Sequence, residues 1–524
     1  MRIGIDVGGT HTDAVLMDGS AVVAVAKRHT TADVSTGIRG ALDDLQRQRP
    51  FLTADVDAVM VGTTHFLNAL VEADRLARTA AIRLCLPATA ALPPFTEWPQ
   101  HLRDALHASG HLLAGGHEFT GRRISRLDVA GLRRIGERLG QAGVQSIAVS
   151  SVFSPVNAEF EEEAADVLGQ VLPDVPVSLS YRIGRIGLLE RENATIINAS
   201  LRLLAEEVAA ALHGVVRACG ITAPLFLSQN DGTVMDVETV QEYPVSTFAS
   251  GPANSMRGAA MLSGVRDCAV VDFGGTTSDV GMLRAGFPRE ATSAVEVAGV
   301  PTNFRMPDVI SIAIGGGSLV RPGPPVRVGP GSVGYRLSRR GLVFGGDVLT
   351  ATDVAVAAGR ADIGDRSLVR HLDEQLVHDA LRDMASRHAD AVNSMRTAPG
   401  EFPVVGVGGG SALLPERLEG VGPVVRPEHY AVANAVGAAI AQVSGEVDRI
   451  FTIPPGRRRQ TMDEARQEAV DRAVAAGAAP SSVAIIDEDD IPIPYLPGEA
   501  TRIRVKAVGD LRIARTRAPE GAIP

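Results

Sequence analysis

The chain has 524 residues, a formal net charge of -10 and an ordinary hydrophobic fraction of 45%. It is longer than one hydrophobic core usually supports, so we expect two to four domains. The acidic balance argues against nucleic acid or an acidic membrane as a partner, and the only two lysines, Lys27 and Lys506, lack the glycine spacing of a P-loop.

The first thirty residues predict a meander of antiparallel strands that contains a compact polar motif. Strand patterns cover residues 3–5, 14–17 and 21–26, and the first two flank the sequence Asp-Val-Gly-Gly-Thr-His-Thr-Asp. Glycines let the backbone turn tightly and bring its N–H groups close to an anion, and hydroxyls add further donors. We therefore predict phosphate contacts from Gly8, Gly9, Thr10 and Thr12.

The next elements alternate between helix and strand. Apolar residues recur at helical spacing over residues 34–45, and the strand predicted at 58–61 leads into Thr63 and Thr64, with Asn68 one turn into a helix. Hydroxyl and amide donors at a strand end suit a small polar substrate, although Thr64 also suits a helix N-cap. We predict these three residues as substrate contacts.

Strand and helix patterns continue over residues 80–168, where several histidines occur. Their spacing matches no metal-ligand motif, which favours solvated helix and loop histidines. His117 and Glu118 follow two glycines, and we retain them as a weaker candidate for the substrate site. A long apolar-striped helix is predicted over residues 199–218.

The polar motif then occurs a second time, after the strand predicted at 269–271. Residues 272–279 read Asp-Phe-Gly-Gly-Thr-Thr-Ser-Asp, which predicts phosphate contacts from Gly274, Gly275, Thr276 and Thr277. An aspartate before two glycines is most often a turn former. Two copies, each after a buried strand, favour a nucleotide-binding cleft between two related lobes.

Two more glycine runs end predicted strands. Residues 315–318 fit phosphate contact and simple strand bending equally well. The run Gly408, Gly409 and Gly410 follows a second phosphate hairpin, so we predict that its backbone lies flat against adenine. A small-residue helix is predicted at about 431–443. Beyond residue 456 we predict a helix at 462–476, a strand at 483–486, an acidic turn at 487–490 and a strand at 501–508.

Asp6 and Asp272 are the predicted catalytic and metal-binding residues. Two carboxylates facing each other across a cleft would hold Mg²⁺, largely through its waters, against the phosphates of ATP. Either carboxylate would also orient or deprotonate a nucleophile for phosphoryl transfer.

Cysteine usage and the beginning of the sequence favour the cytoplasm. The three cysteines are scattered in apolar surroundings, as expected for small buried residues in a reducing compartment. The sequence enters its first predicted strand without a signal-peptide pattern, and no uncharged run is long enough to span a bilayer.

The motifs together resemble the hydantoinase/oxoprolinase family, which includes N-methylhydantoinase, 5-oxoprolinase and the ATP-dependent ketone carboxylases, within the actin, sugar-kinase and heat-shock-chaperone ATPase superfamily. Besides both aspartate motifs, the resemblance rests on Gly62–Thr64 with Asn68, on residues 115–119, on 250–253, on 315–318 and on 406–411. One departure is Ile310, which stands where many members carry a histidine, so no metal or substrate role transfers to that position.

The resemblance implies an α/β fold with two ribonuclease-H-like lobes (the actin-like ATPase fold) around an ATP cleft, plus a small C-terminal α+β unit. We assign residues 1–190 and 191–455 to the lobes and 456–524 to the small unit. The implied chemistry is phosphorylation of a cyclic amide, imide or related carbonyl for ring opening, often with a second hydantoinase-type subunit, and we expect an oligomer. A small-molecule kinase and an ATP-switched reactivase or chaperone-like subunit are the alternatives.

Overall fold

The computed structural model describes residues 1–9, 11–29, 34–291, 295–494 and 500–512. Its first layer is a six-stranded mixed sheet, here called the N-terminal sheet. From one edge to the other its strands are Val234–Asp236, Leu225–Ser228, Ala58–Thr63, Arg2–Val7, His11–Asp18 and Ala21–His29.

A second mixed sheet of seven strands repeats this arrangement and is here called the second sheet. In spatial order its strands are Arg417–Leu418, Gly422–Val425, Val404–Val407, Cys268–Phe273, Ser278–Arg284 and Phe287–Pro288, with Val309–Ile312 also paired to Ser278–Arg284.

The two sheets correspond strand by strand around a central hairpin. The first hairpin joins Arg2–Val7 to His11–Asp18, and the second joins Cys268–Phe273 to Ser278–Arg284. In both, the leading strand also pairs in parallel with a strand from much later in the chain, Ala58–Thr63 or Val404–Val407. The repeated order confirms the prediction of an α/β chain with two ribonuclease-H-like lobes.

Two sheets cross the predicted domain limits, the N-terminal sheet and a C-terminal sheet made of Gln442–Thr452, Ala484–Pro492 and Ala500–Asp510. Leu225–Ser228 and Val234–Asp236 complete the N-terminal sheet from beyond residue 190, and Gln442–Thr452 belongs to the C-terminal sheet although it precedes residue 456. The division at 190 and 455 therefore remains a prediction about folding units, because sheet neighbours are set by hydrogen bonding in space and not by sequence distance.

A four-stranded parallel sheet is inserted between Ala58–Thr63 and Leu225–Ser228. A buried ion pair fixes it to the long helix Leu188–Ala218, since Arg83 donates to both carboxylate oxygens of Glu192 at 2.7 and 2.5 Å. The inserted strands, in spatial order, are Ser109–Ala114, Thr79–Leu86, Ser146–Ser151 and Val177–Leu179.

Helices cover the faces of these sheets. In chain order, those described are Val34–Gln48, His65–Val71, Gln100–Ala105, Val129–Gln141, Glu159–Val171, Ser180–Ile183, Leu188–Ala218, Val237–Glu242, Ser250–Ser263, Leu337–Arg340, Ala351–Ala357, Glu374–Met395, Ala433–Ala438 and Arg458–Ala475. Two short ribbons are also present. Val295–Val297 with Val300–Thr302 packs in the core of the N-terminal sheet, and Ser318–Arg321 with Arg327–Ser332 packs in the core of the second sheet. None of the described helices has the length and apolar character that a bilayer span requires.

The C-terminal unit is a three-stranded antiparallel sheet covered by the helix Arg458–Ala475. Its central strand Ala500–Asp510 lies between Gln442–Thr452 and Ala484–Pro492. The predicted acidic turn at 487–490 is wrong, because these residues continue the edge strand. Asp487 forms an ion pair with Arg504, and Glu488 forms one with Arg466.

The helix predicted over residues 431–443 is also wrong in its length. It covers only Ala433–Ala438, and the chain has become strand by Gln442. Val443 and Val447 are buried in the apolar core of the C-terminal unit, so strand pairing there replaces continued helix.

A buried lysine forms ion pairs between the C-terminal unit and the rest of the molecule. Lys506 is 3% exposed, and its Nζ lies 2.9 Å from Asp231 and 3.3 Å from Glu290, which belong to different lobes. Burial alone would raise the pKa of Glu290, but Lys506 and the surrounding arginines lower it to about 2. The pKa of Asp231 is likewise held well below its usual range, mainly by Lys506 against the effect of burial.

Candidate active-site cleft

The two hairpins approach a common cavity of about 290 Å³ that takes residues from both lobes. Carboxylate, hydroxyl and amide groups line it together with bare glycine backbone. Of the residues predicted from sequence, those on its wall are Gly8, Asp272, Gly274, Gly275, Gly408, Gly409 and Gly410. Residues more than 260 positions apart in the chain therefore meet at one site.

A single helix holds both predicted catalytic aspartates. In the helix Ser250–Ser263, the Asn254 amide lies 3.4 Å from one oxygen of Asp6, and the next residue, Ser255, donates its hydroxyl to Asp272 at 2.5 Å. Because adjacent residues of one helix contact the two carboxylates, Asp6 and Asp272 lie on neighbouring sides of that helix.

The small-residue helix Ala433–Ala438 supplies the second support for Asp6. Asn434 donates to Asp6 at 2.9 Å and to Asp13 at 3.1 Å. The two helices can approach this closely only because Gly437 has no side chain. A Cβ at this position would lie 1.8 Å from the Asn254 carbonyl oxygen, so only glycine fits where the helices cross. Gly258 faces the Ala433 carbonyl at the same hypothetical distance.

Both aspartates lie in poorly solvated positions. Burial raises the pKa of Asp6 to about 6, and the nearby negative charge of Asp13 adds to the rise. Burial also raises the pKa of Asp272 to about 6, with further contributions from Asp279 and Asp6. Such carboxylates are stabilised by a cation that joins them, because they have lost much of their hydration.

The approach of Gly408 to Asp272 explains the glycine at that position. Its φ is +82°, and a Cβ there would lie 2.3 Å from Asp272 Oδ1. Gly62 plays the same part in the first lobe, where a Cβ would lie 2.4 Å from Asp6 Oδ1. Each aspartate is therefore packed against a glycine of the parallel strand or strand end beside it.

The hairpin turns are alike in both lobes. The Gly8 amide donates to the His11 carbonyl at 3.0 Å, and the Gly274 amide donates to the Thr277 carbonyl at 2.9 Å. Gly9 and Gly275 are exposed, and a Cβ on either would meet no atom within 4 Å. Their backbone is therefore open to a ligand.

The predicted hydroxyl donors are placed less uniformly. Thr276 and Thr277 are exposed at the second turn, whereas Thr12 is buried at 1% exposure. Thr10 lies outside the described residues. The phosphate roles of these threonines remain predictions.

The glycine run at 315–317 braces the second turn. Gly316 donates its amide to the Gly274 carbonyl at 3.0 Å, and Gly317 donates to the Gly275 carbonyl at 2.8 Å. Gly316 also lines the cavity. Ile310, on the strand leading to this run, pairs with Val280 and is 36% exposed.

The first substrate candidate lies beside the first hairpin. Thr63 stands opposite Val7 in the parallel register, and its hydroxyl accepts from the His65 amide at 3.2 Å. Thr64 makes no side-chain cap to its helix; its hydroxyl accepts instead from the Asn68 side chain at 3.4 Å. These donors lie one strand from the cleft carboxylates, and their substrate role remains a prediction.

The second substrate candidate lies in the inserted unit. His117 has no exposed surface and stacks on Phe160 with 4.5 Å between ring centroids, and burial lowers its pKa. Glu118 is partly exposed in an adjacent turn, where its backbone amide donates to the Arg122 carbonyl. Neither is among the described residues that line the 290 Å³ cavity, and their substrate role remains a prediction.

Sequence reasoning missed Lys27, Asn254, Ser255 and Asn434. Lys27 lies on the strand Ala21–His29 and donates to both oxygens of Asp13 at 2.9 and 3.0 Å. Its rarity in an arginine-rich chain was the available signal. The Ser-Gly-Pro-Ala motif at 250–253 marks the start of the helix that carries Asn254 and Ser255. Asn434 had no local signal, because its partners come from the opposite end of the chain.

The cleft suits a magnesium ion through its donor set. The described residues contain no cluster of three or more metal-ligating side chains that would hold a metal by protein groups alone. Mg²⁺ usually binds one or two carboxylates and keeps waters and substrate oxygens as its other ligands. Asp272 lies on the cavity wall, and Asp6 accepts a hydrogen bond from the wall residue Asn434 at 2.9 Å, so these two carboxylates fit that requirement.

Comparison with known proteins assigns the family. The hydantoinase/oxoprolinase N-terminal region model matches residues 2–172, and the hydantoinase/oxoprolinase model matches residues 191–395. The chain belongs to the hydantoinase/oxoprolinase family. The two matched regions together contain both aspartate hairpins of this family member.

Two curated relatives show the range within the family. The chain is 28% identical to the caprolactamase subunit alpha of Pseudomonas jessenii, in a match that covers 84% of this chain. It is 26% identical to the acetophenone carboxylase gamma subunit of Aromatoleum aromaticum, in a match that covers 68% of this chain. These matches span 65% and 53% of the relatives' own lengths. This family member therefore spans less than two thirds of the length of each relative.

The fold has a solved counterpart. The crystal structure of the ATP-dependent caprolactamase from Pseudomonas jessenii superposes with a TM-score of 0.80 at 19% identity, covering 100% of this chain and 89% of that one. The superposition supports the shared fold of this hydantoinase/oxoprolinase family member.

Proposed function

We propose that this chain is an ATP- and Mg²⁺-dependent enzyme that phosphorylates the carbonyl oxygen of a cyclic amide, imide or related compound so that the ring opens. The observation that carries the proposal is the meeting of the duplicated hairpins, with Asp6 and Asp272 held by Asn254 and Ser255 of one helix. Family membership and the caprolactamase relative support the choice of substrate class.

Each group in the cleft has a role in this proposal. The amides of the two hairpin turns, with the threonines beside them, bind the phosphates. The run Gly408–Gly410 supports the adenine, and Asp6 and Asp272 hold Mg²⁺ and orient the transferred group. Thr63, Thr64 and Asn68 position the carbonyl compound. Bound Mg²⁺ neutralises charge on the phosphates, which is the main requirement of phosphoryl transfer together with alignment.

Phosphorylation solves the chemical problem that an amide carbon is a poor electrophile. The amide oxygen forms a new O–P bond as the terminal phosphoanhydride bond of ATP breaks, and ADP leaves. Water then adds to the activated carbon and the C–N bond breaks, with a proton passing to the departing nitrogen. Hydrolysis of the resulting acyl phosphate by a second water releases phosphate and the ring-opened acid.

Carboxylation of an activated ketone is the second candidate. It is favoured by one observation, the similarity to the acetophenone carboxylase gamma subunit. Both candidates share the phosphorylation step. In ring opening, water adds to the carbonyl carbon, whereas in carboxylation the ketone loses an α-proton and the α-carbon of its phosphorylated enol attacks the carboxyl donor. The relatives are named as subunits, so we also propose that a second hydantoinase-type subunit completes the enzyme.

The test is an ADP-release screen of purified protein with lactams, hydantoins, imides and ketones, alone and with the product of the neighbouring gene. Ring opening predicts ADP, phosphate and a new acid in equal amounts, whereas ketone carboxylation incorporates labelled bicarbonate. A stable phosphoester would show a kinase instead. ATP turnover that responds only to a protein partner would show a reactivase, and either result contradicts the proposal.

A further inference from the structure

Lys27 is the one lysine or arginine among the described residues that line the cleft cavity. Its Nζ donates to Asp13 at 2.9 and 3.0 Å and approaches the Ala431 carbonyl oxygen at 3.4 Å. The side chain is 38% exposed, while that of Asp13 is 4% exposed. The ammonium group therefore lies between a buried carboxylate and the open cavity.

The composition of the chain makes this lysine informative. Lysine occurs only at positions 27 and 506, although lysine and arginine together number 51. Arginine serves nearly every other basic position, including buried pairs such as Arg83 with Glu192. An ammonium is a compact point charge with three donors on a flexible stem, whereas a guanidinium is a larger planar fork. At position 27 the ammonium contacts Asp13 and the Ala431 carbonyl oxygen and still keeps part of its surface exposed.

The charge balance of the cleft indicates what that ammonium faces. Asp6, Asp13, Asp272 and Asp279 place four carboxyl groups on the two hairpins, and Lys27 is close to one of them. A nucleoside triphosphate adds one more charged phosphate than a diphosphate, and a cationic donor on the cavity wall would stabilise that phosphate in addition to Mg²⁺ and the turn amides. The short reach from Asp13 into the cavity lets Lys27 supply it while the carboxylate keeps its bond from Asn434.

We propose that Lys27 donates a hydrogen bond to the terminal phosphate of ATP and thereby gives the cleft its preference for ATP over ADP. The inference rests on the proposed function, because it requires a triphosphate in this cavity. It assigns Lys27 to nucleotide discrimination and phosphoryl-group positioning, beyond its ion pair with Asp13.

Calorimetric titration with a non-hydrolysable ATP analogue and with ADP, both with Mg²⁺, tests this assignment. Lys27→Ala should weaken binding of the ATP analogue by roughly 10- to 100-fold, the usual effect of losing a charge-assisted hydrogen bond. Binding of ADP should weaken by less than about threefold. Lys27→Arg should retain the charge but recover only part of the preference, because the planar guanidinium directs its donors differently from an ammonium.

Two control variants separate phosphate binding from a purely structural role. Arg28→Ala removes the next side chain on the same strand, which pairs with Asp44 away from the cavity, and should leave both affinities unchanged. Asp13→Asn removes the ion-pair partner of Lys27 and should keep the preference for ATP. Unfolding temperatures of all variants, without nucleotide, show whether each one is folded.

Three results would overturn the assignment. Equal losses for ADP and the ATP analogue in Lys27→Ala would mean that the lysine acts only as the counter-charge of Asp13. An unchanged ATP preference in that variant would also refute it, while the proposed function stands. If the wild-type chain binds neither nucleotide, both the assignment and the proposed function fail.

Discussion

Replacement of Asp272 by asparagine removes a charge that the folded chain holds in a desolvated position. The pKa of this carboxyl is raised from 3.8 to about 6 by burial and by the nearby Asp279 and Asp6. A pKa rise of that size corresponds to about 3 kcal/mol of destabilisation once the group is ionised. Asparagine keeps the shape and can accept the Ser255 hydroxyl that now donates to Asp272 at 2.5 Å.

We therefore expect Asp272→Asn to be more stable than the wild type at neutral pH, although much less active. An amide hydrogen left without a partner costs about 1 kcal/mol of this, which leaves a gain of about 2 kcal/mol. Because the unfolding entropy of a chain this long is about 1 kcal/mol per kelvin, this gain raises the unfolding temperature by about 2 °C. ATP turnover should fall about 100- to 1,000-fold, as for other groups that hold the reacting phosphate.

The pH dependence gives the sharper measurement. Between about pH 4 and 6 the folded wild type keeps a proton on Asp272 that the unfolded chain has released, so its stability falls as the pH rises through that window. Asparagine has no such proton. The difference in unfolding temperature between variant and wild type should be near zero at pH 4.5 and reach its full value above pH 7, measured without nucleotide.

A matched control is available in Asp362→Asn, which removes a charge at an exposed position and should change the unfolding temperature by less than the error at every pH. If Asp272→Asn instead lowers the unfolding temperature at pH 7, or gives a difference that does not vary with pH, then the carboxylate is not held in a desolvated position and the argument for a cation site there is refuted.

Two further substitutions test the packing of the cleft and the attachment of the C-terminal unit. Gly408→Ala should destabilise the fold by about 1–3 kcal/mol and abolish nucleotide binding, because the φ of this residue is +82° and its Cβ would meet Asp272 at 2.3 Å. Gly409→Ala is the control, because open space surrounds that position, and it should leave stability unchanged. Equal losses of stability in the two variants would contradict the prediction. Lys506→Met should cost about 3–5 kcal/mol, because Asp231 loses its ion-pair partner while Glu290 keeps Arg185 and Arg504. Arg466→Ala, which removes exposed ion pairs, should cost less than about 1 kcal/mol. The Lys506 contribution should be full above about pH 5 and decline as the pH falls toward the lowered pKa values of its partners, so a cost that stays constant down to pH 2 would count against it.

Local chemistry made the repeat visible in the sequence. The eight-residue motifs at 6–13 and 272–279 carry their own turn glycines, so each hairpin is fixed by residues that are neighbours in the chain, and the structure gives both the same register. The acidic run at 487–490 failed for the opposite reason. Its composition favours a turn in isolation, whereas basic residues on the adjacent strand and helix make it a stable edge strand.

The amino-acid sequence by itself determined the fold class, the two hairpins and the aspartates at their strand ends, because turn chemistry and apolar patterning act over a few residues. Only the tertiary structure decided what surrounds those aspartates. Asn254 and Ser255 reach them from one helix and Asn434 from another, across more than 150 positions in some cases. Such contacts depend on two helices crossing at glycines, a geometry that arises from packing between lobes and leaves no periodic trace in the chain.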